Sequence, residues 1–135
     1  MEENIYRGGW IKNGEWIEGY YVFLNDTHYI IEAGSEDWGV NGEWFQVVPK
    51  SIGQYTGLKD ENGEKIFKGD IILYRRNNVT SVGVVDFADG AFGVRFSDGT
   101  SAMFLCFAAN HSIVIGNTYR DKELVKVYNL STICS

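Results

Sequence analysis

The chain is poor in the residues that build catalytic and metal sites. It has two histidines and two cysteines, and a single proline, Pro49. His28 and His111 are far apart in sequence, with no H-E-x-x-H motif and no Cys/His cluster, so no zinc site built from protein ligands is expected. Cys106 and Cys134 form neither a C-x-x-C pair nor a zinc spacing, and a cytosolic chain keeps such thiols reduced. Cys106 lies in the apolar run Ala102–Phe107 and is expected to be a small buried hydrophobe. There is no G-x-S-x-G elbow, Walker loop or G-x-G-x-x-G after a strand. Gly8-Gly9 precede a strand and open no helix, so they cradle no phosphate. Carboxylates are plentiful, but nothing places two of them together in an apolar pocket. No enzyme, cofactor or metal is therefore expected. No run of about 18 apolar residues occurs, which excludes a membrane-spanning helix. The start, Met1-Glu2-Glu3-Asn4, is acidic where a signal peptide is basic and then apolar, which points to the cytoplasm.

What is present is apolar, aromatic and rich in turns. Hydrophobic residues make up 44% of the 135 and aromatics 15%, too much for a disordered chain. The 16 glycines imply many turns. The net charge of -6 sits entirely in residues 1–52, where nine acids face Arg7, Lys12 and Lys50. Residues 53–135 hold nine acids and nine bases. The division suggests an acidic, aromatic-rich β segment over 1–52 and a β-barrel-like core over 53–135, packed as one unit. The acidic segment repels phosphate backbones. The basic cluster of the second segment is Lys65, Lys68, Arg75 and Arg76; it is a candidate phosphate contact or simply a solvated loop.

Short apolar runs separated by Gly, Asn and Asp read as antiparallel strands. Asn13-Gly14 predicts a type I′ hairpin turn pairing Lys12 with Glu15, Ile11 with Trp16 and Trp10 with Ile17. Alternation then puts Trp10 and Ile17 on one side, Ile11 and Trp16 on the other. A hairpin apolar on both faces is either sandwiched inside the fold or covered on one face by another molecule. Tyr20–Leu24 and His28–Ile31 form a second pair around Asn25-Asp26-Thr27, Ala33–Gly42 reads as an irregular loop, and Glu43–Val48 is a strand ended by Pro49. All four tryptophans (Trp10, Trp16, Trp38, Trp44) lie in this half, as core packing or as an aromatic binding surface.

Residues 82–107 give the clearest geometry. A turn at Asp89-Gly90 pairs Phe87 with Phe92 and Val85 with Val94. One face collects Val85, Phe87, Phe92, Val94 and Phe96, and the other Val84, Asp86, Ala88, Ala91, Gly93 and Arg95. A second turn at Asp98-Gly99 sets Met103 opposite Val94 and Leu105 opposite Phe92. Slipping either register by one residue flips Asp86 and Arg95 into the core. Ile71–Tyr74 and Ile113–Asn117 add strands, and Asp121 is placed to cap a short C-terminal helical turn, the one helix expected. The expected fold is mainly β: antiparallel hairpins and a meander forming a small SH3-like or partly open barrel.

Gly53-Gln54-Tyr55-Thr56-Gly57-Leu58-Lys59-Asp60, then Asn62-Gly63, Ile66-Phe67 and Gly69-Asp70-Ile71-Ile72, resembles the signature of the YopX family, small proteins encoded by phages and prophages. Val114–Tyr119 with Glu123-Leu124, the Trp10/Trp16 hairpin and Trp44–Pro49 also fit that family. Ser51-Ile52 departs conservatively from the Thr-Val common there. The resemblance implies a mainly β accessory protein of bacterial hosts and supplies no activity and no site residue. Taken for themselves, Gly57, Gly63 and Gly69 fit tight turns, and Thr56, Asp60 and Asp70 fit bonds to turn amides. The functional expectation is a non-enzymatic module that binds a protein or itself, with Trp10, Trp16, Gln54 and Tyr55 as candidate contacts. The alternative is a nucleic-acid-binding barrel using Arg75 and Arg76 with the neighbouring lysines.

Overall fold

The computed structural model describes residues 5–32, 43–97 and 102–130. Three two-residue turns have positive φ at both positions: Asn25-Asp26 (52° and 60°), Asn77-Asn78 (53° and 67°) and Asp89-Gly90 (53° and 83°). That is the type I′ geometry, whose twist matches the flanking strands and which Asn, Asp and Gly tolerate best. Each turn closes an antiparallel hairpin. The chain divides into two compact units, Met1–Tyr55 and Thr56–Ser135, so the dividing point falls inside a strand.

The first unit contains β1 (Tyr6–Gly9), β2 (Trp16–Leu24), β3 (Thr27–Glu32), β4 (Trp44–Gln46) and the start of β5 (Gly53–Lys59), in the spatial order β4-β3-β2-β1-β5. Its core is Ile17, Ile30 and Val47, with Tyr6, Trp10 and Tyr21 packed on them. A side chain at Gly8 would lie 2.9 Å from the Val47 Cβ, so Gly8 admits the close approach. Ser51, on a 3₁₀ turn over Pro49–Ser51, accepts the Gly9 N–H at 2.7 Å and donates to the Val48 carbonyl.

The β1–β2 register differs from the sequence expectation by two residues. Gly8 pairs with Ile17 and Gly9 with Trp16, and the Trp10 N–H donates to the Glu15 carbonyl. Gly14 has φ +79° while Asn13 keeps a negative φ, so the turn is not type I′. The cause is a competing strand: the Ile11 N–H donates to the Gln46 carbonyl and Trp10 bridges to Val47, drawing residues 11–14 out of the hairpin. Because the shift is even, the faces are as expected. Trp10 and Ile17 share the core, and Ile11 is exposed.

The second unit holds the end of β5, β6 (Lys65–Phe67), β7 (Asp70–Arg76), β8 (Val79–Ala88), β9 (Ala91–Phe96), β10 (Ala102–Phe104), the short helix α1 (Leu105–Ala108), β11 (Ser112–Asn117) and helix α2 (Lys122–Val127). Five strands make a sheet in the order β10-β9-β8-β7-β11, whose two ends do not join, so among the described residues there is no closed barrel. Both faces of β7 are covered, as a continuous apolar run requires. Ile72 and Tyr74 join Val85, Val94 and Phe96 on the inner face, while Ile71 packs with Val82, Val84 and Leu130 on the outer face under α2. None of the described helices is long and apolar enough to cross a membrane.

The meander has the expected register: Phe87 with Phe92, Val85 with Val94, and Met103 with Val94. The Asp98-Gly99 turn lies outside the described residues, as do the loop 33–42, Trp38 and Cys134. Four expectations need correction. Leu105 opens α1 instead of pairing with Phe92, although it is buried in the same core. Cys106, carried outward by that helix, is exposed. Phe92 is half-buried, since the hairpin tip overhangs the core and leaves Phe87 exposed. Asp121 precedes α2, but its carboxylate accepts the Asn117 N–H at 2.8 Å and makes no cap bond.

Asp86 and Arg95 lie on the outer face, their charged groups 3.9 Å apart, the arginine exposed and the aspartate partly so. Arg95→Ala is expected to cost under about 1 kcal/mol, as exposed charges do. Phe92→Ala should cost about 2 kcal/mol, below the range for a fully buried phenylalanine. Urea unfolding of both variants checks this; an arginine loss equal to the phenylalanine loss would mean that the faces are swapped.

Candidate functional site

The outer face of the second unit's sheet has two halves. One lies under α2. The other, over β8, β9 and β10, carries Asp86, Ala88, Ala91, Gly93, Arg95, Ala102 and Phe104 by strand alternation. Four of these positions bear nothing larger than a methyl group, so the surface there is a trough of about 490 Å³. Phe104 and Phe107 line it with 59% and 64% of their surface exposed, ring centroids 6.2 Å apart. Asp86, Asp89 and Arg95 also line it. Neither phenylalanine was singled out from the sequence. The one available signal is their three-residue spacing, which on a helical turn presents two rings side by side.

The residues singled out from the sequence fall elsewhere. The Trp10 ring meets Phe45 edge-on at 5.2 Å in the first unit's core, with the Lys12 Nζ 5.4 Å from its centroid. Trp16 is on the opposite face, with the Arg7 guanidinium stacked 4.1 Å above it. The two tryptophans therefore form no common surface. Trp10→Ala should destabilise the first unit by about 3 kcal/mol and Trp16→Ala by clearly less; equal losses in thermal melts would contradict the face assignment. Gln54 pairs with Tyr6, and the Tyr55 N–H donates to the Ile5 carbonyl, both as part of the β5 ladder. In the second unit Arg75 and Arg76 are exposed at the end of β7, whereas Lys68 precedes its start beside Asp86 at 3.9 Å. Strand rise puts the start of β7, next to Lys68, about 17 Å from Arg75, so β7 separates these cations.

Both histidines are in contact with aromatic rings. The Tyr21 hydroxyl and His28 Nδ1 are hydrogen-bonded at 2.6 Å, and His111 meets Tyr74 edge-on at 6.3 Å. Among the described residues no three His, Cys, Asp or Glu side chains group as a metal would need.

Comparison with known proteins matches residues 6–126 to the model of the YopX protein family. The chain belongs to the YopX family. It is also similar to the crystal structure of protein EF1440 from Enterococcus faecalis, at 23% identity, over 93% of this chain and 99% of that one, with a TM-score of 0.53. That likeness concerns the fold. No curated protein matches the chain.

Several residues that carry the YopX resemblance hold the second unit together. Asp60, 5% exposed, accepts the N–H groups of Asn62 and Glu64 on Oδ1 at 2.8 and 2.9 Å, and that of Val114 on Oδ2 at 2.9 Å. It thus closes its own turn and ties it to β11. Asp70, 1% exposed, accepts the Phe67 N–H at 2.8 Å and the Asn117 side-chain amide at 3.2 Å. The Thr56 hydroxyl donates to the Ile66 carbonyl at 2.7 Å. Gly57, Gly63 and Gly69 all have φ between +84° and +93°. These members of the YopX signature are turn and clamp residues.

Proposed function

We propose that this YopX protein is a non-enzymatic protein-interaction module, an accessory protein of phage or prophage acting in the cytoplasm of the bacterial host. The supporting observation is the trough beside Phe104 and Phe107. Two adjacent rings left more than half exposed are costly in water, and such patches mark sites of association. The buried carboxylates, by contrast, have their oxygens engaged with backbone N–H groups and the Asn117 side-chain amide, where they serve folding. The phage origin rests on the family resemblance.

The test is a photo-crosslinking residue at position 107 of the protein expressed in its host, with position 123 on α2 as control. Protein adducts formed through position 107 and not through 123 support the reading; none at 107 overturns it. A nucleic-acid-binding role has less behind it, because β7 separates Lys68 from Arg75 and Arg76. Titration with single- and double-stranded DNA and RNA at low salt, where phosphate contacts are strongest, should show no binding at tens of micromolar. Binding lost on Arg75→Ala/Arg76→Ala would favour the nucleic-acid role instead.

A further inference from the structure

We infer that the trough receives Phe104 and Phe107 of a second copy of this chain, in a two-fold pair. The inference rests on the protein-interaction reading and names its partner.

Projection and depression lie on one continuous surface. The rings of Phe104 and Phe107 stand at one side, and Ala88, Ala91, Gly93 and Ala102 form the recess beside them. A surface that carries both a knob and a hole is self-complementary, and a two-fold axis seats each copy's knob in the other's hole. β10, which bears Phe104, is an edge strand of its sheet, so the approach is from the open side.

Charge selects the same partner. Asp86 and Asp89 are at the trough together with Arg95, so its rim presents both signs. Asp86, partly exposed, lies 3.9 Å from both Arg95 and Lys68, and these long contacts leave the exposed Arg95 able to pair across a two-fold axis. The unit that carries the trough has nine acids and nine bases over residues 56–135, and two copies meeting through it do not repel. A strongly acidic or strongly basic partner finds no matching field there.

The size of the contact sets its strength. An enclosed phenylalanine buries about 150–250 Å², so four rings exposed to this extent contribute roughly 500 Å². With the walls they cover, the pair buries about 1,000 Å², at the low end for specific association. A dimer with a dissociation constant of about 10–100 μM is expected.

Sedimentation equilibrium of the full chain from about 5 to about 500 μM tests this. The wild type should move from 15.2 kDa toward twice that mass. Phe104→Ser/Phe107→Ser and, separately, Ala91→Glu, which places a carboxylate in the recess, should stay monomeric throughout. Trp44→Ser, in the first unit, should dimerise as the wild type does. A wild type that is monomeric at the highest concentration, or a dimer that survives both trough variants, overturns the inference. If the wild type is monomeric while adducts to another protein form through position 107, the second-copy inference fails and the interaction reading stands. If position 107 gives no adduct of any mass, both fail.

Discussion

Asp60→Ala is expected to cost about 3–5 kcal/mol. The carboxylate accepts three backbone N–H groups and is nearly buried. Hydrogen bonds to charged groups contribute about 1.5–3 kcal/mol each, and exposed Asn62 and Glu64 regain part of their loss from water. Val114, 54 residues away, is in a half-buried strand and regains less. The loss should therefore be seen in two ways: a lower urea midpoint and faster hydrogen exchange at the Val114 amide. Asp60→Asn should fall between wild type and alanine, because one of its side-chain atoms is then a donor facing a donor. A loss under about 1 kcal/mol for Asp60→Ala would mean that the turn and β11 are held by other means.

Gly83→Val is expected to be as damaging, for a different reason. Gly83 lies in β8 at ordinary strand dihedrals, so backbone strain is not the issue. A Cβ there would sit 2.6 Å from Val94 Cγ1 and 2.8 Å from the Arg95 carbonyl oxygen. The carbonyl belongs to the paired strand and cannot swing away without breaking the ladder. Overpacking costs about 1–3 kcal/mol for added methylenes, and a branched side chain against backbone should reach or exceed the top of that range. Gly90 is the opposite case: its φ is +83°, with nothing within 4 Å of a built Cβ. Gly90→Val should cost only the conformational strain, about 1–2 kcal/mol. Reversal of this order in urea melts would show that packing beneath Gly83 is looser than described.

The difference between the two glycines shows what the sequence could reveal. Asp89-Gly90 was legible because its turn chemistry and the alternation of the flanking residues agree. Asn13-Gly14 is an equally strong local signal, yet it gave the wrong register. Gln46 and Val47, distant in sequence, compete for the backbone of Ile11 and Trp10, and no local pattern shows that. The helix α1 was hidden because it begins inside the apolar run Ala102–Phe107, and four helical residues are too few to show a period. The roles of Asp60 and Asp70 as acceptors for turn amides were legible, but the reach of Asp60 to Val114 was not. The trough was half legible: alternation already gathered Ala88, Ala91 and Gly93 on one face. What remained hidden was that Phe104 and Phe107 stand beside that face, because an exposed phenylalanine and a core one read alike in sequence.

On the interaction reading, Phe104 and Phe107 do not belong to the residues that hold the fold. Urea unfolding of Phe104→Ser/Phe107→Ser, measured at a protein concentration below any association, tests this most directly. A loss below about 2 kcal/mol for the pair is predicted, since rings more than half exposed give up little burial on removal. A loss of about 3 kcal/mol or more would place both rings in the core and contradict the account.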